Sequence, residues 1–310
     1  MGAVAFEEAN WIWRDGDFVA WHDCNIHVLA TAVQFGTSVF EGIRAYPTAR
    51  GPAVFRLRAH VERLQDSATI YRMRPDYTVD DLIDVCLAVI DKNDLDNCYI
   101  RPMILRGYGS PGLDPRLSPI ETLVAAWGWG TYLGDKALAT GVDVCVSSWN
   151  RMAPNTFPAR AKAGGHYVNA QLMKMEAVQN GYADAIALGP GGLVSEGSGM
   201  NLFLVDEGRV ISPVLDGTSL VGITRGAVIQ IAKDLGYEVV ERPVPREELY
   251  TVDELFFTGT AAEVTPVRSV DRIEIGHGKA GPITLDIQKR FLETVHGEND
   301  DPHGWLTYVK

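Results

Sequence analysis

The chain has 310 residues, 46% hydrophobic and 22% charged, which is typical of a globular protein with one large or two ordinary domains. Its net charge of −12 disfavours nucleic acid and anionic membranes as partners, because both require clustered lysine and arginine. The first residues lack a basic stretch followed by an apolar one, no apolar run approaches the ~20 residues of a membrane span, and the cysteines are scattered. We therefore expect a cytoplasmic protein with reduced thiols.

Turn signals and hydrophobic periodicity predict the elements of the first part of the chain. Asp15-Gly16 favours a tight turn, and Thr78 is a good N-cap residue before a helical pattern. The predicted elements are, in order, a hairpin at 11–21, a helix at 57–72, a helix at about 79–92, and strands at 99–106 and 121–127. The glycine-rich segment GWGTYLGDKA (128–137) then indicates a linker.

The second part of the chain continues to mix strands and helices. Its predicted elements are a strand at 142–148, a helix at 166–179, a strand at 183–188, a hairpin of strands 201–205 and 209–212, a helix from Thr224 to Gly236, and a strand at 254–260. Strict βαβ alternation is missing, so we predict an α+β fold. The predicted domains are a small one at 1–127 and a large one at 138–310, joined by the linker at 128–137.

Lys162 differs from the other seven lysines, which lie on polar helix faces, near turns or at the terminus. It is part of AKAGG (161–165), where small residues allow other atoms to approach closely. A desolvated lysine amine is a usable nucleophile for Schiff-base chemistry. From its local context alone, a solvated loop lysine is the more common case.

Other segments carry the groups that a pyridoxal phosphate (PLP) cofactor requires, namely a phosphate anchor and an acidic partner for its ring nitrogen. Gly222 and Thr224 lie at a predicted helix N-terminus that favours an anion, and TGT (258–260) offers a second turn of this kind. Glu196, in VSEGSGMNLF (194–203), is the candidate ring partner. Each signal alone is weak, because such turns are usually caps and carboxylates are usually solvated.

Three further motifs are poorer candidates. Residues 107–112 match G-x-G-x-x-G, but no helix is predicted to follow, as a dinucleotide site requires. His22, Cys24 and His27 lack a fourth ligand and the standard zinc spacing, so we predict no metal site. Ser195 is not part of a G-x-S-x-G elbow.

Eight motifs occur in one order along nearly the whole chain. They are VFEGIRAY (39–46), HVERL (60–64), YIRP (99–102), SSWNR (147–151), AKAGGHY (161–167), SEGSGMNLF (195–203), GITRGA (222–227) and FTGTAAEVTPV (257–267). This set closely resembles the fold-type IV PLP enzymes and, among them, the bacterial branched-chain amino acid aminotransferases.

The resemblance implies a fold with two mixed α/β domains and the cofactor at their interface. It implies PLP-dependent, ping-pong transamination between branched-chain L-amino acids (leucine, isoleucine and valine) and 2-oxoglutarate, a step of branched-chain amino acid biosynthesis. It also implies a homodimer or a higher homo-oligomer, such as a hexamer, in which the loop 107–119 helps to shape a neighbouring subunit's pocket.

The same resemblance implies cofactor contacts residue by residue. Lys162 would hold PLP as a Schiff base and move a proton between the substrate α-carbon and the cofactor. The other implied cofactor residues are Arg63, Ile223 (through its amide), Thr224 and Thr260 for the phosphate, Leu220 for the ring face, Tyr167 for the ring hydroxyl oxygen, and Glu196 for the ring nitrogen.

Substrate contacts are implied in the same way. Tyr99 and Arg101 lie two apart on a strand and so face one side, and Arg101 would meet the side-chain carboxylate of glutamate. Tyr132 would close over the pocket, and the turn Thr260-Ala261-Ala262 would offer amides to the α-carboxylate. Phe35 departs from the tyrosine that bacterial relatives often carry there, and it lacks a hydroxyl donor, which puts glutamate recognition in doubt.

Three alternatives remain beside this interpretation. A D-amino acid or (R)-amine transaminase of the same fold is the nearest, and Phe35 is compatible with the amine activity. An aminodeoxychorismate lyase is disfavoured by the pair Tyr99 and Arg101. A non-catalytic PLP-binding or scaffold protein is disfavoured by the joint presence of the lysine and three other cofactor residues.

Overall fold

The computed structural model describes residues 6–130 and 135–309. The strands are β1 (Phe6–Glu7), β2 (Trp11–Arg14), β3 (Asp17–Ala20), β4 (Ser38–Phe40), β5 (Ile43–Tyr46), β6 (Ala53–Phe55), β7 (Cys98–Arg106), β8 (Ile120–Trp129), β9 (Val142–Val146), β10 (Asp184–Leu188), β11 (Val194–Gly197), β12 (Asn201–Asp206), β13 (Arg209–Pro213), β14 (Val239–Arg242), β15 (Glu254–Gly259), β16 (Glu263–Val270), β17 (Ile273–Glu274) and β18 (Leu306–Tyr308). The helices are α1 (Thr31–Phe35), α2 (Leu57–Ile70), α3 (Val79–Lys92), α4 (Asp135–Thr140), α5 (Tyr167–Gln179), α6 (Ile223–Asp234) and α7 (Pro282–Val295). Short 3-10 turns lie at Trp21–Asp23, Pro115–Leu117, Gly164–His166 and Arg246–Tyr250.

The chain folds into two compact units. The first comprises, within the described residues, 6–130, 161–165 and 294–309. Its sheet has the strand order β18-β6-β5-β7-β8-β2-β3, with β1 paired to β8 and β4 paired to β7. These strand pairs are antiparallel. Helices α2 and α3 contribute Leu64 and Val89 to a core that also contains Ile100 of β7, so the apolar helix faces are buried against the sheet.

The second unit comprises, within the described residues, 135–160 and 166–293. Its sheet has the order β11-β10-β9-β16-β15-β12-β13-β14, with β17 paired to β16. The pairs β9–β10, β9–β16 and β13–β14 are parallel and the others are antiparallel. The buried rings of Phe203 and Phe256 stack between β12 and β15 at a centroid distance of 5.1 Å. The mixed sheet and the separate antiparallel sheet confirm the predicted α+β class.

Elements predicted from local signals agree with the structure. Arg14 pairs with Asp17 across the two-residue turn, where Asp15 (φ 46) and Gly16 (φ 105) have the positive φ angles that such a turn requires. Helix α3 begins after Thr78, whose side chain accepts a hydrogen bond from the amide of Asp81 while the Asp81 carboxylate accepts one from the amide of Thr78. Helix α2 ends at Ile70, two residues before the predicted end.

The predicted domain ranges are continuous, whereas the units of the structure are not. Strand β18 pairs with β6, and Ala163 forms a bridge with Val39, so the C-terminal stretch and the Lys162 segment belong to the first unit. Strand β8 runs to Trp129, into the predicted linker at 128–137. Residues 131–134 of that linker lie outside the described residues, and α4 begins at Asp135.

Two further properties concern the whole described chain. No helix among the described residues is long and apolar enough to cross a membrane. All four cysteines lie within the described residues and are free thiols, as expected: Cys24, Cys86, Cys98 and Cys145.

Candidate active site

The Lys162 segment is held by backbone hydrogen bonds within the first unit. The amide of Phe40 donates to the carbonyl of Lys162 over 3.0 Å. The amide of Lys162 donates to Ser67 Oγ on α2, also over 3.0 Å. Ala161 and Ala163 are buried on either side, so the backbone is fixed while the Lys162 side chain is half-buried, with Nζ 5.1 Å from the Phe40 ring centroid.

Arg63 binds a buried carboxylate, that of Glu41. Arg63 Nε donates to Glu41 Oε1 over 2.6 Å and its Nη2 donates to Oε2 over 2.9 Å. His60, one helical turn before Arg63 on α2, places Nδ1 2.7 Å from the same Oε2. Burial opposes ionisation of Glu41, but the charge of Arg63 and the hydrogen bonds outweigh it and hold the pKa of this carboxyl well below its usual range.

Arg101 lies among aromatic rings. Its guanidinium is 4.7 Å from the Phe40 ring centroid, 5.3 Å from that of Tyr99 and 5.7 Å from that of Trp127. The contact with Tyr99 places both side chains of the Y-x-R pair on one face of β7, as expected from their spacing. Arg101 Nε is buried and has no hydrogen-bond partner among the residues that the structure describes. A cation in this setting suits recognition of an anionic group.

Two further predicted substrate residues, Phe35 in the first unit and Tyr132 in the predicted linker, are placed less fully. Phe35 is the last residue of α1, and its side chain is 47% exposed. Gly36 follows it with φ 69 and ends the helix. Tyr132 lies outside the described residues.

Glu196, on β11 of the second unit, is another buried carboxylate. Its Oε1 is 2.8 Å from Arg151 Nη2, and both side chains are buried. Its Oε2 accepts hydrogen bonds from Asn201 Nδ2 and from the amide of Leu220, each over 3.2 Å. The Arg151 guanidinium also donates to the carbonyl of Thr218. A buried carboxylate is stable here because a buried cation compensates its charge.

Candidate anion-binding groups lie close to Asn201 in the same unit. Helix α6 begins after Gly222 and has no side-chain cap, so its first amides are available to an anion. Asn201 Nδ2 donates to the carbonyl of Leu220, and Asn201 packs so closely that a β-carbon on Gly222 would lie 1.8 Å from its Oδ1. Thr258 lies opposite Asn201 in the β12–β15 ladder, and its buried Oγ1 has no hydrogen-bond partner among the described residues.

The other predicted residues of this unit lie at element ends. Tyr167 is the first residue of α5 and is half-buried. Thr260, Ala261 and Ala262 form the turn between β15 and β16, and Ala262 is buried with its carbonyl accepting from Thr265 Oγ1. Lys162, Arg63, Tyr99 and Arg101 therefore belong to the first unit, and the remaining cofactor residues and the turn belong to the second.

Four residues that hold these groups were not singled out from the sequence: Glu41, His60, Arg151 and Asn201. Each lies inside one of the eight motifs, so the signal was present in the pattern. The roles of Glu41, His60 and Arg151 were not visible because their partners are distant in sequence, as with Glu41 and Arg63 or Arg151 and Glu196.

Comparisons with known proteins agree with one another. The aminotransferase class IV family model matches residues 38–270. The branched-chain-amino-acid aminotransferase of Escherichia coli (strain K12) is 48% identical over 304 residues, 98% of each chain. A crystal structure of the Escherichia coli branched-chain amino acid aminotransferase gives a TM-score of 0.96 at 48% identity and covers 98% of this chain and 100% of that one. A crystal structure of the T.th. branched-chain amino acid aminotransferase complexed with N-(5'-phosphopyridoxyl)-L-glutamate gives a TM-score of 0.92 at 45% identity, with 98% and 100% covered.

Proposed function

The chain belongs to the aminotransferase class IV family, and from this premise we propose that it is a PLP-dependent branched-chain amino acid aminotransferase. It takes the amino group of L-leucine, L-isoleucine or L-valine and passes it to 2-oxoglutarate by a ping-pong mechanism. The observation that carries the proposal is the 48% identity over 98% of both chains to an enzyme of that name. The relative solved with N-(5'-phosphopyridoxyl)-L-glutamate supports PLP as cofactor and glutamate as one amino acid of the pair.

The donor groups of the chain fit PLP, whose aldehyde, when bound, condenses with amines and whose ring accepts electrons from a substrate carbon. Lys162 would supply the amine that holds the cofactor, and its Nζ would take and return the proton of the substrate α-carbon. Glu196 would pair with the ring nitrogen, and its negative charge would favour the protonated nitrogen. Arg151 and Asn201 keep that carboxylate in one place.

A phosphate also fits the chain. The amides of Ile223 and Thr224 open α6, whose N-cap glycine offers no side chain to them. Thr260 adds a hydroxyl and an amide, two residues after the unsatisfied Oγ1 of Thr258. Arg63, whose Nε and Nη2 donate to Glu41, would add a positive charge that attracts the phosphate oxygens. Leu220 would pack on the ring, and Tyr167 would donate a hydrogen bond from its hydroxyl to the ring hydroxyl oxygen.

Substrate selection follows from two kinds of surface. The aromatic rings around Arg101 contact branched aliphatic side chains, and the guanidinium donates hydrogen bonds to the side-chain carboxylate of glutamate or 2-oxoglutarate. The turn 260–262 offers amides to the α-carboxylate that every substrate carries. Phe35 adds apolar surface but no donor, so Arg101 carries recognition of the second carboxylate.

We further propose that the protein is a homodimer or a higher homo-oligomer. Large apolar side chains are exposed in two segments of the first unit, with Val28 70% exposed and Leu113 and Leu117 85% and 83% exposed. Exposed apolar side chains of this size are typical of an interaction surface. Light scattering coupled to size-exclusion chromatography tests this, and a monomer at micromolar concentration would contradict it.

The test of the activity is a half-reaction screen. The purified PLP form is mixed with L-leucine, D-alanine or a chiral aryl-ethylamine, and the visible absorbance of the lysine-bound cofactor is followed. Rapid loss with L-leucine, and its return with 2-oxoglutarate, is the expected result. A response only to D-alanine or to the (R)-amine would replace the proposal with one of those two activities, which Phe35 does not exclude.

A further inference from the structure

The buried Glu41 carboxylate is shared by two side chains of one helix. His60 and Arg63 lie three apart on α2 and face the same way. Glu41 is fully buried, and the side chains of His60 and Arg63 are 2% and 13% exposed. Taking a carboxylate out of water is costly unless its charge is compensated, so these two partners are what make the position tolerable.

The cluster also fixes which edge of the guanidinium is used. Arg63 spends its Nε and one Nη2 hydrogen on the two oxygens of Glu41, in a bidentate contact. A guanidinium is planar and rigid, so this contact sets the direction of the opposite edge, which carries Nη1. Burial, opposed by Glu41 but reinforced by the charges of Arg63 and Lys162, lowers the pKa of His60. Because the Glu41 carboxylate can only accept, the facing Nδ1–H of His60 is the donor of their hydrogen bond.

Backbone contacts connect this cluster to Lys162. Glu41 follows Phe40, whose amide donates to the Lys162 carbonyl, and the Glu41 amide donates to the carbonyl of Pro102. Ser67, four residues after Arg63 on the same face of α2, accepts from the Lys162 amide. The helix face that holds the Glu41 carboxylate therefore also holds the backbone of the lysine segment.

We propose that Glu41 is a positioning residue for the cofactor phosphate, because its carboxylate orients the Arg63 guanidinium and fixes α2 relative to the Lys162 segment. This inference rests on the proposed function, in which Arg63 binds the phosphate and Lys162 binds the aldehyde carbon. Glu41 itself touches neither group. Its carboxylate sets the direction of the guanidinium edge that carries Nη1. It also sets the distance between the Arg63 side chain and the backbone of Lys162.

A purely electrostatic role for Glu41 predicts different results. If the carboxylate only reduced the charge of Arg63, its removal would strengthen phosphate binding, and a change that keeps the charge would have no effect. If Glu41 positions Arg63, a shortened carboxylate weakens phosphate binding even though the charge remains. Glu41→Asp separates the two, because aspartate is one methylene shorter and cannot hold both Arg63 nitrogens and His60 from the same backbone position.

The experiment measures cofactor affinity and not turnover. Wild type and Glu41→Asp are freed of cofactor and titrated with PLP and, separately, with pyridoxal, which lacks the phosphate. We expect Glu41→Asp to lower PLP affinity by about ten-fold or more, while pyridoxal affinity changes by less than about two-fold. The matched control is Glu121→Gln, which breaks another arginine–glutamate pair of the same unit (Arg14 with Glu121), and it should leave the preference for PLP unchanged.

A double-mutant cycle completes the test. In an Arg63→Gln background, Glu41→Asp should have little further effect on PLP affinity, because its effect acts through Arg63. Unchanged or tighter PLP binding by Glu41→Asp, or additive losses in the cycle, would overturn the inference. If the inference fails but the wild-type protein still prefers PLP to pyridoxal, the proposed function stands. If the wild-type protein binds neither PLP nor pyridoxal, the inference and the proposed function are both overturned. If Glu41→Asp does not fold, His60→Gln removes the third contact to the same carboxylate and is expected to reduce the PLP preference.

Discussion

Replacing Gly222 by alanine is predicted to act mainly through one side chain, that of Asn201. A β-carbon at position 222 would lie 1.8 Å from Asn201 Oδ1, 3.0 Å from its Cγ and 3.1 Å from Arg225 Cβ. The backbone at Gly222 has φ −69 and ψ 131, which alanine adopts without strain. The overlap with Asn201 is by far the most severe of these contacts, so the main cost comes from displacing the Asn201 amide.

The magnitude follows from the hydrogen bonds that Asn201 would lose. Its Nδ2 donates to the Glu196 carboxylate over 3.2 Å and to the Leu220 carbonyl over 3.0 Å. A hydrogen bond to a charged group contributes about 1.5–3 kcal/mol and a neutral one about 0.5–1.5 kcal/mol, so Gly222→Ala should lower the free energy of unfolding by about 2–4.5 kcal/mol.

The assay is urea unfolding of Gly222→Ala, Asn201→Ala and the double variant. Asn201→Ala removes the same hydrogen bonds and the two closest obstructing atoms, so adding Gly222→Ala to it should cost less than about 1 kcal/mol, from the remaining contact with Arg225 Cβ. Gly226→Ala is the control within α6, because a β-carbon there meets no atom within 4 Å and alanine favours the helix. Additive costs of the two substitutions would refute the reasoning.

Three further predictions concern arginine side chains. Arg151→Met leaves the buried Glu196 carboxylate without its cation and should cost about 3–5 kcal/mol in urea unfolding, and a loss below ~1 kcal/mol would contradict this. Arg101→Met should raise the KM for 2-oxoglutarate by about ten-fold and that for L-leucine far less, and equal increases would argue against its role. Hydrogen bonds from Arg268 lower the pKa of Asp143 to about 2 from its ordinary 3.8. The stabilisation from these hydrogen bonds is therefore complete above pH 3.8 and lost as the pH falls through about 2. Arg268→Gln should make the free energy of unfolding depend less on pH in this acid range. An unchanged pH dependence would contradict the prediction.

The elements that the sequence predicts well are those determined by neighbouring residues. The turn at Asp15-Gly16 and the N-cap of α3 at Thr78 depend on residues at most three apart, and both are present as predicted. The motif resemblance to class IV aminotransferases is confirmed by the family match over residues 38–270. A set of ordered motifs identifies the family because the motifs together contain most of the residues of the candidate site.

Contacts between distant residues set the features that could not be predicted. The pairing of β18 with β6 joins segments about 250 residues apart, so the C-terminal stretch could not be assigned to the first unit from its own pattern. Glu41 is a single carboxylate in a strand-like run, and only the approach of α2 explains its burial. Arg101 itself was predicted, but its aromatic surroundings were not, because Phe40 and Trp127 come from two other segments of the chain.

The central claim is that Lys162 carries the cofactor, and covalent trapping tests it most directly. The purified protein is loaded with PLP, reduced with sodium borohydride, digested and analysed by mass spectrometry. The phosphopyridoxyl group is expected on the peptide that contains Lys162, at a stoichiometry near one per chain, and Lys162→Ala should carry none. A label on any other lysine, or no label on the wild-type protein, would contradict the account.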